Sequence, residues 1–105
     1  MPQPRAKYSI DFPDWYDDLA EFEHEAKGYL GAVIVRFEDD FRSELFFIDP
    51  VRLVQDLEAE LAAGRSCFAE PNMIVVPHVT RKAIEKTVAE LAAEDFFRRL
   101  GSAGR

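Results

Sequence analysis

The pattern of hydrophobic and polar positions along the chain predicts three amphipathic helices. The first begins at Pro13 and Asp14, because proline suits a first helical turn and an acidic side chain favours the positive end of a helix. It ends at Gly28, since glycine is a typical helix stop. Its apolar positions recur every three or four residues, the spacing of one helix face: Trp15, Leu19, Phe22 and Ala26.

The second predicted helix has the clearest local start in the chain. Asp49 stands at the N-cap position and Pro50 at the first helical position, where its missing N–H costs no hydrogen bond, and Gly64 ends the helix. Its apolar face is interrupted only by Glu58 and otherwise consists of Val51, Val54, Leu57 and Leu61. The third helix begins at the N-cap residue Thr80. Its apolar face consists of Ala83, Ile84, Val88, Leu91 and Ala92.

Three segments rich in β-branched and aromatic residues predict strands. Residues 32–38 and 41–48 are separated by a short polar break, which favours an antiparallel hairpin. Residues 73–76 form a third strand that a proline closes. Residues 8–12 alternate weakly and are either a short strand or an extended lead-in, and residues 66–68 could add an edge strand.

The order helix-strand-strand-helix-strand-helix predicts a two-layer α+β fold with a three-stranded, mostly antiparallel sheet. We favour the strand order 2-1-3 over 1-2-3, because a third strand beside the first makes every neighbouring pair antiparallel. The predicted organisation is a flexible tail over residues 1–7, a single domain over 8–100 and a frayed end over 101–105.

The composition fits one globular domain. The chain has 105 residues, of which 48% are hydrophobic and 31% are charged. A chain of this length buries roughly 60–70% of its unfolded surface, so one core holds it without disulfides. Its single cysteine, Cys67, excludes an intrachain disulfide. No apolar run approaches the roughly 18 residues of a membrane span, and the first residues show no signal-peptide core, so we expect a cytoplasmic protein.

The charge is unevenly distributed along the sequence. The formal net charge is −7, but residues 11–60 carry 15 acidic and four basic residues, and residues 11–25 carry seven acidic residues with no Lys or Arg. Such a segment repels nucleic-acid phosphates and anionic membranes, and it attracts a basic partner. The alternative interpretation is a solvated helix face that keeps the protein soluble.

The candidate chemical residues are few. Glu21 and His24 form an E-x-x-H pair on adjacent helical turns, but a metal site of that type needs further ligands from other helices. His78 follows a strand and precedes a helix, where a general base is plausible, and Cys67 has Arg65 nearby. The sequence contains no glycine-rich phosphate-binding motif. No metal and no cofactor are therefore predicted.

These observations predict a small acidic protein-binding module that engages a basic partner protein. If Trp15 enters the core, Tyr16 faces outward among carboxylates and provides an anchor for an Arg- or Lys-bearing surface. Toxin-neutralising immunity proteins and other inhibitors offer a physical analogy, although no motif identifies such a family. The predicted partner-binding residues are Asp14, Tyr16, Asp17, Asp18, Glu21 and Glu25.

Two further functions remain open at this point. The nine Phe residues exceed the obvious needs of one small core, so an exposed apolar patch and open strand edges could drive self-association, for example as a homodimer. A small enzyme that uses His78 is the second alternative. It requires a pocket in which His78 approaches another polar catalytic group.

Overall fold

The computed structural model of the chain describes residues 7–97. Along the chain lie β1 (Tyr8–Asp11), α1 (Asp18–Lys27), β2 (Tyr29–Phe37), β3 (Arg42–Ile48), α2 (Pro50–Ala62), β4 (Met73–Val75) and α3 (Arg81–Ala93). This arrangement confirms the α+β class. Three predicted segments lie outside the described residues. They are residues 1–6 of the tail, residues 98–100 of the domain and the frayed end, residues 101–105.

The sheet has four strands in the order β1-β2-β3-β4, so the favoured order of three strands is wrong. The hairpin of β2 and β3 is antiparallel, as predicted. Residues 8–12, for which the sequence allowed either a short strand or an extended lead-in, contain a strand. This strand, β1, pairs antiparallel with the C-terminal half of β2, from Ile34 to Phe37. Because β1 occupies that edge, β4 pairs with β3 instead, and it runs parallel to β3 because α2 forms the crossover between them.

The core lies on one face of the sheet. Strand residues Val33, Val35, Leu45 and Phe47 are fully or almost fully buried, in the alternation expected of a strand with one covered face. α3 contributes Ile84, Val88 and Ala92 to the same apolar cluster, α1 contributes Ala20, and the turn before α1 contributes Tyr16. Phe97 completes the cluster, with its ring centroid 6.0 Å from that of Phe37.

The ends of α2 and α3 follow the sequence signals. The Asp49 side chain accepts a hydrogen bond from Arg52 N at 2.8 Å, and the Thr80 side chain accepts one from Ala83 N at 3.2 Å. Both residues therefore cap their helices as predicted. The segment 66–68 is irregular and forms no strand.

The predicted start of α1 is wrong by several residues. Pro13 belongs to a separate turn, which a hydrogen bond from Tyr16 N to Pro13 O closes at 2.9 Å. The helix itself begins after Asp17, whose carboxylate accepts from Ala20 N at 2.9 Å. This capping bond fixes the helix start, because it satisfies an N–H group that has no partner within the helix.

Gly28 joins α1 to β2 in a conformation that other residues adopt only with strain. Its φ is 85°, and a Cβ atom placed there would lie 2.8 Å from both Arg52 Cβ and an Asp49 carboxylate oxygen. Gly64 also has a positive φ, 90°, but a Cβ there would meet no described atom within 4 Å. Both positions strain any other residue, but only Gly28 is also crowded. A comparison of alanine substitutions at the two glycines therefore separates the cost of backbone strain from that of steric crowding.

We expect Gly28→Ala to lower the free energy of unfolding by about 2 kcal/mol or more, since the strain of a left-handed residue costs roughly 1–2 kcal/mol before any clash. Gly64→Ala should lower the free energy of unfolding only by the cost of the backbone strain. Urea unfolding monitored by circular dichroism measures both variants. Equal losses at the two positions would show that the contact between Gly28 and the start of α2 is not tight.

Candidate functional site

α1 turns its apolar stripe toward solvent. Trp15, Leu19 and Phe22 are 55%, 66% and 70% exposed, whereas Tyr16 is only 5% exposed and Ala20 is buried. The prediction that Trp15 enters the core and Tyr16 faces outward is therefore wrong. The side chains that enter the core here are Tyr16, from the turn before α1, and Ala20 of α1.

Arg81, the first residue of α3, holds α1 in this orientation. Its backbone N–H donates to Glu21 Oε2 at 2.6 Å, and its Nη2 donates to Tyr16 O at 2.9 Å. The guanidinium also lies over the rings of Phe12 and Tyr16, 5.1 and 5.0 Å from their centroids. Because Tyr16 and Glu21 are held against α3, the opposite side of α1, with Phe22, faces solvent.

Two of the six predicted partner-binding residues serve the fold instead. Tyr16 packs in the core, and the Glu21 carboxylate binds the N-terminus of α3. Asp17 is exposed, but its carboxylate caps α1. The remaining predicted residues, Asp14, Asp18 and Glu25, are all exposed.

Carboxylates border the exposed stripe on both sides. Asp18 precedes Phe22 by four residues and Glu25 follows it by three, so both are neighbours of Phe22 on the helix surface. Glu23 follows Leu19 by four residues and is its neighbour on the helix surface in the same way. We name this surface the α1 outer face, which consists of Asp18, Leu19, Phe22, Glu23 and Glu25. It combines an apolar centre with an acidic border.

An open aromatic groove lies on the other side of α1, beside Trp15 and His24. The ring centroid of His24 lies 5.1 Å from that of Trp15 and 5.5 Å from that of Tyr29, and His24 Nδ1 donates to Tyr29 O at 2.8 Å. The groove is lined by Trp15, His24, Lys27, Tyr29, Gly31 and Ala32. Glu21 and His24, the E-x-x-H pair, bind different partners, so their side chains do not form a joint ligand pair.

Tyr16 has a perturbed hydroxyl group. Burial, reinforced by the charge of Glu21, raises the pKa of Tyr16 to about 12, although the nearby Arg81 opposes the shift. Within residues 7–97, the buried hydroxyl has no hydrogen-bond partner. The ring therefore stabilises the core through packing, while the hydroxyl adds a desolvation cost.

α2 also exposes an apolar surface. Val51, Val54, Leu57 and Leu61 are between 37% and 67% exposed, and α2 contains no buried residue. We name these four residues the α2 outer face. The half-buried side of the helix carries Arg52, Leu53, Asp56 and Glu60. Arg52 Nη1 donates to Lys27 O at 3.1 Å, and its Nε donates to Asp56 Oδ1 at 2.9 Å within the helix.

The other candidate residues lie at the surface. Cys67 is an exposed free thiol, and His78 is exposed between β4 and α3. In the part of the chain that the structure describes, no three His, Cys, Asp or Glu side chains come together as metal ligands. None of the helices between residues 7 and 97 is long and apolar enough to cross a bilayer.

Comparison with known proteins assigns no relative. No protein-family model matches the chain, and no curated protein or solved structure matches it significantly.

Sequence reasoning missed Trp15, Leu19 and Phe22 as surface residues. Their spacing is typical of a core-facing stripe, and periodicity does not say which side of a helix is covered. A signal was nevertheless present, since Tyr16 and Ala20 form a second, narrower apolar line on the same segment. The structure shows that this narrower line enters the core.

Tyr16→Phe distinguishes a core role from a partner-binding role. At pH 7 we expect the variant to be at least as stable as the wild type, because it removes an unpaired buried hydroxyl. Between pH 10 and 12 the wild type should lose stability relative to the variant. There the unfolded tyrosine has ionised while the folded one still resists ionisation, so unfolding releases a proton. Urea unfolding at several pH values measures the difference, and a large destabilisation at pH 7 would contradict it.

Proposed function

We propose that the protein is a protein-binding module that engages a basic partner protein through the α1 outer face. The observation that carries the proposal is Phe22, which is 70% exposed and stands between Asp18 and Glu25 on the solvent side of a helix. Large exposed apolar side chains at the centre of a polar border are typical of recognition surfaces.

Hydrophobic burial supplies the affinity in this proposal. Covering a large apolar side chain is worth roughly 1.5–3 kcal/mol, so Leu19 and Phe22 together contribute several kcal/mol to a complex. An aromatic residue at the centre of such a surface is a typical hot spot. The partner must therefore present an apolar contact of similar size.

The acidic border of the α1 outer face determines which kind of partner is favoured. A surface edged by Asp18, Glu23 and Glu25 favours Lys or Arg around the partner's apolar contact and disfavours acidic residues there. The excess of acidic residues over residues 11–60 extends this preference to longer range, because it accelerates encounter with a basic protein at low salt. The analogy with small acidic inhibitors rests on these two physical features. The catalytic alternative has less support, because the His78 side chain is exposed to solvent.

A defined peptide pair tests the proposal. We expect an amphipathic helical peptide of Leu and Lys to bind the protein, with weaker binding at higher salt, and isothermal titration calorimetry measures the affinity. A peptide of the same pattern made from Leu and Glu should not bind. Phe22→Ala should weaken binding of the Lys peptide at least tenfold, which corresponds to about 1.4 kcal/mol.

Charge removal provides the matched control. The double variant Asp18→Asn, Glu25→Gln should reduce the salt dependence of binding. The double variant Glu44→Gln, Glu85→Gln removes the same charge from exposed positions on β3 and α3, and it should leave the salt dependence closer to that of the wild type. Equal effects of the two double variants, or no effect of Phe22→Ala, would mean that the α1 outer face is not the recognition surface.

A further inference from the structure

We infer that the open groove beside Trp15 and His24 binds an extended, proline-rich peptide that carries a basic residue at one end and an acidic residue at the other. No residue of the α1 outer face lines this groove, so the inference concerns a second binding site, separate from the proposed function. It rests on a continuous row of aromatic rings, on hydrogen-bonding groups along that row, and on opposite charges at its two ends.

Four aromatic rings form a continuous row on the surface of the protein. His24 lies between Trp15 and Tyr29, and the Tyr29 ring stacks on that of Phe46, with centroids 6.1 Å apart and planes inclined by 23°. We name these four residues the aromatic row. Two further grooves adjoin the first one: the first of them shares Tyr29 with it, the second shares Ala32, and both are lined by Phe46. The aromatic row therefore lines one continuous depression.

The rings of this row are held in place by their own neighbours. Tyr29 and Phe46 lie on the sheet face opposite the core, because the next residue of each strand enters the core. Phe46 lies close over Gly31, where a Cβ atom would be 3.2 Å from Phe46 Cδ1. The Arg52 guanidinium lies over the Tyr29 ring, 4.6 Å from its centroid, and His24 is bonded to Tyr29 O. A site ordered in this way loses little conformational entropy when it binds a ligand.

The spacing of the aromatic row matches a polyproline II helix. Trp15 and Tyr29 both contact His24, so their rings lie within about 11 Å of each other, close to the roughly 9 Å that separates side chains three residues apart in such a helix. Proline-rich segments dock on aromatic-lined grooves because their extended helix is already formed before binding. The groove is also open along its length, as an extended peptide requires.

The aromatic row offers hydrogen-bonding groups to such a peptide. A polyproline II helix has no internal hydrogen bonds, so its carbonyl groups accept from a partner. The Trp15 indole N–H and the Tyr29 hydroxyl are donors, and neither has a hydrogen-bond partner within residues 7–97. Because His24 donates through Nδ1, Nε2 of the neutral ring accepts from a peptide N–H.

Opposite charges mark the two ends of the row. Lys27 lines the groove beside Trp15, whereas Glu44 and Glu70 line the adjoining groove beside Phe46. All three charged side chains are exposed, and none of them forms an ion pair with another described residue. A peptide is therefore favoured when its basic residue lies near Phe46 and its acidic residue lies near Trp15.

Two peptides with blocked ends and a core of Pro-Pro-Ala repeats test the assignment. One carries Arg at one end and Glu at the other, and the second carries Arg at both ends. Trp15 is the single tryptophan of the chain and is 55% exposed, so its fluorescence reports on the groove. We expect the Arg/Glu peptide to shift the Trp15 emission to shorter wavelength and to bind about threefold more tightly than the Arg/Arg peptide at low salt. Gly in place of each Pro should weaken binding about tenfold.

Charge variants test which end of the groove is which. Lys27→Glu should reverse the preference, so that the Arg/Arg peptide binds more tightly. Glu70→Gln should weaken binding of the Arg/Glu peptide, whereas Glu85→Gln, at an exposed position on α3, is the matched control and should not. Phe22→Ala should also leave binding of this peptide unchanged. Since Phe22→Ala weakens binding of the Leu and Lys peptide instead, the two proposals fail separately.

An unchanged Trp15 emission with both peptides up to about 1 mM would overturn the inference. Equal affinity of the wild type for the two peptides, or an unchanged preference in Lys27→Glu, would also overturn it. The disaccharide cellobiose provides a further control. A shift of the Trp15 emission with cellobiose but with neither peptide would assign the groove to a carbohydrate instead.

Discussion

Two arginine side chains determine which side of α1 and of α2 contacts the rest of the protein. Arg81 binds Tyr16 O and stacks on two rings, while its backbone N–H binds Glu21. Arg52 binds Lys27 O and Asp56 and lies over Tyr29. A guanidinium offers five donors in one plane together with a face that stacks on aromatic rings, so one side chain satisfies several partners at once. A lysine at either position would satisfy fewer of them.

The consequence is that both helices carry apolar side chains on their solvent side. The core of the protein is made mainly by one face of the sheet and by α3, with Ala20 from α1 and Tyr16 from the turn before it. Phe22 and Val54 remain exposed in the isolated chain, so they contribute no free energy of apolar burial to its folding. Another protein surface that covered either helix would gain that free energy.

The two outer faces differ in chemistry. Asp18, Glu23 and Glu25 border the α1 outer face, so a partner of opposite charge is the one that the proposed function favours there. Near the α2 outer face, Asp56 and Glu60 already form ion pairs with Arg52 and Arg65 within the chain.

The sequence by itself determined the local elements. Asp49, Pro50 and Thr80 start their helices through capping bonds within three residues, and alternation places Val33, Val35 and Phe37 on one strand face. Tertiary structure alone decided the strand order and the direction of the helix faces. β1 occupies the edge of β2 and β4 pairs with β3, and the orientation of α1 depends on Arg81, 65 residues from Tyr16. Periodicity shows that a helix has an apolar side, but contacts between residues far apart in the chain determine where that side points.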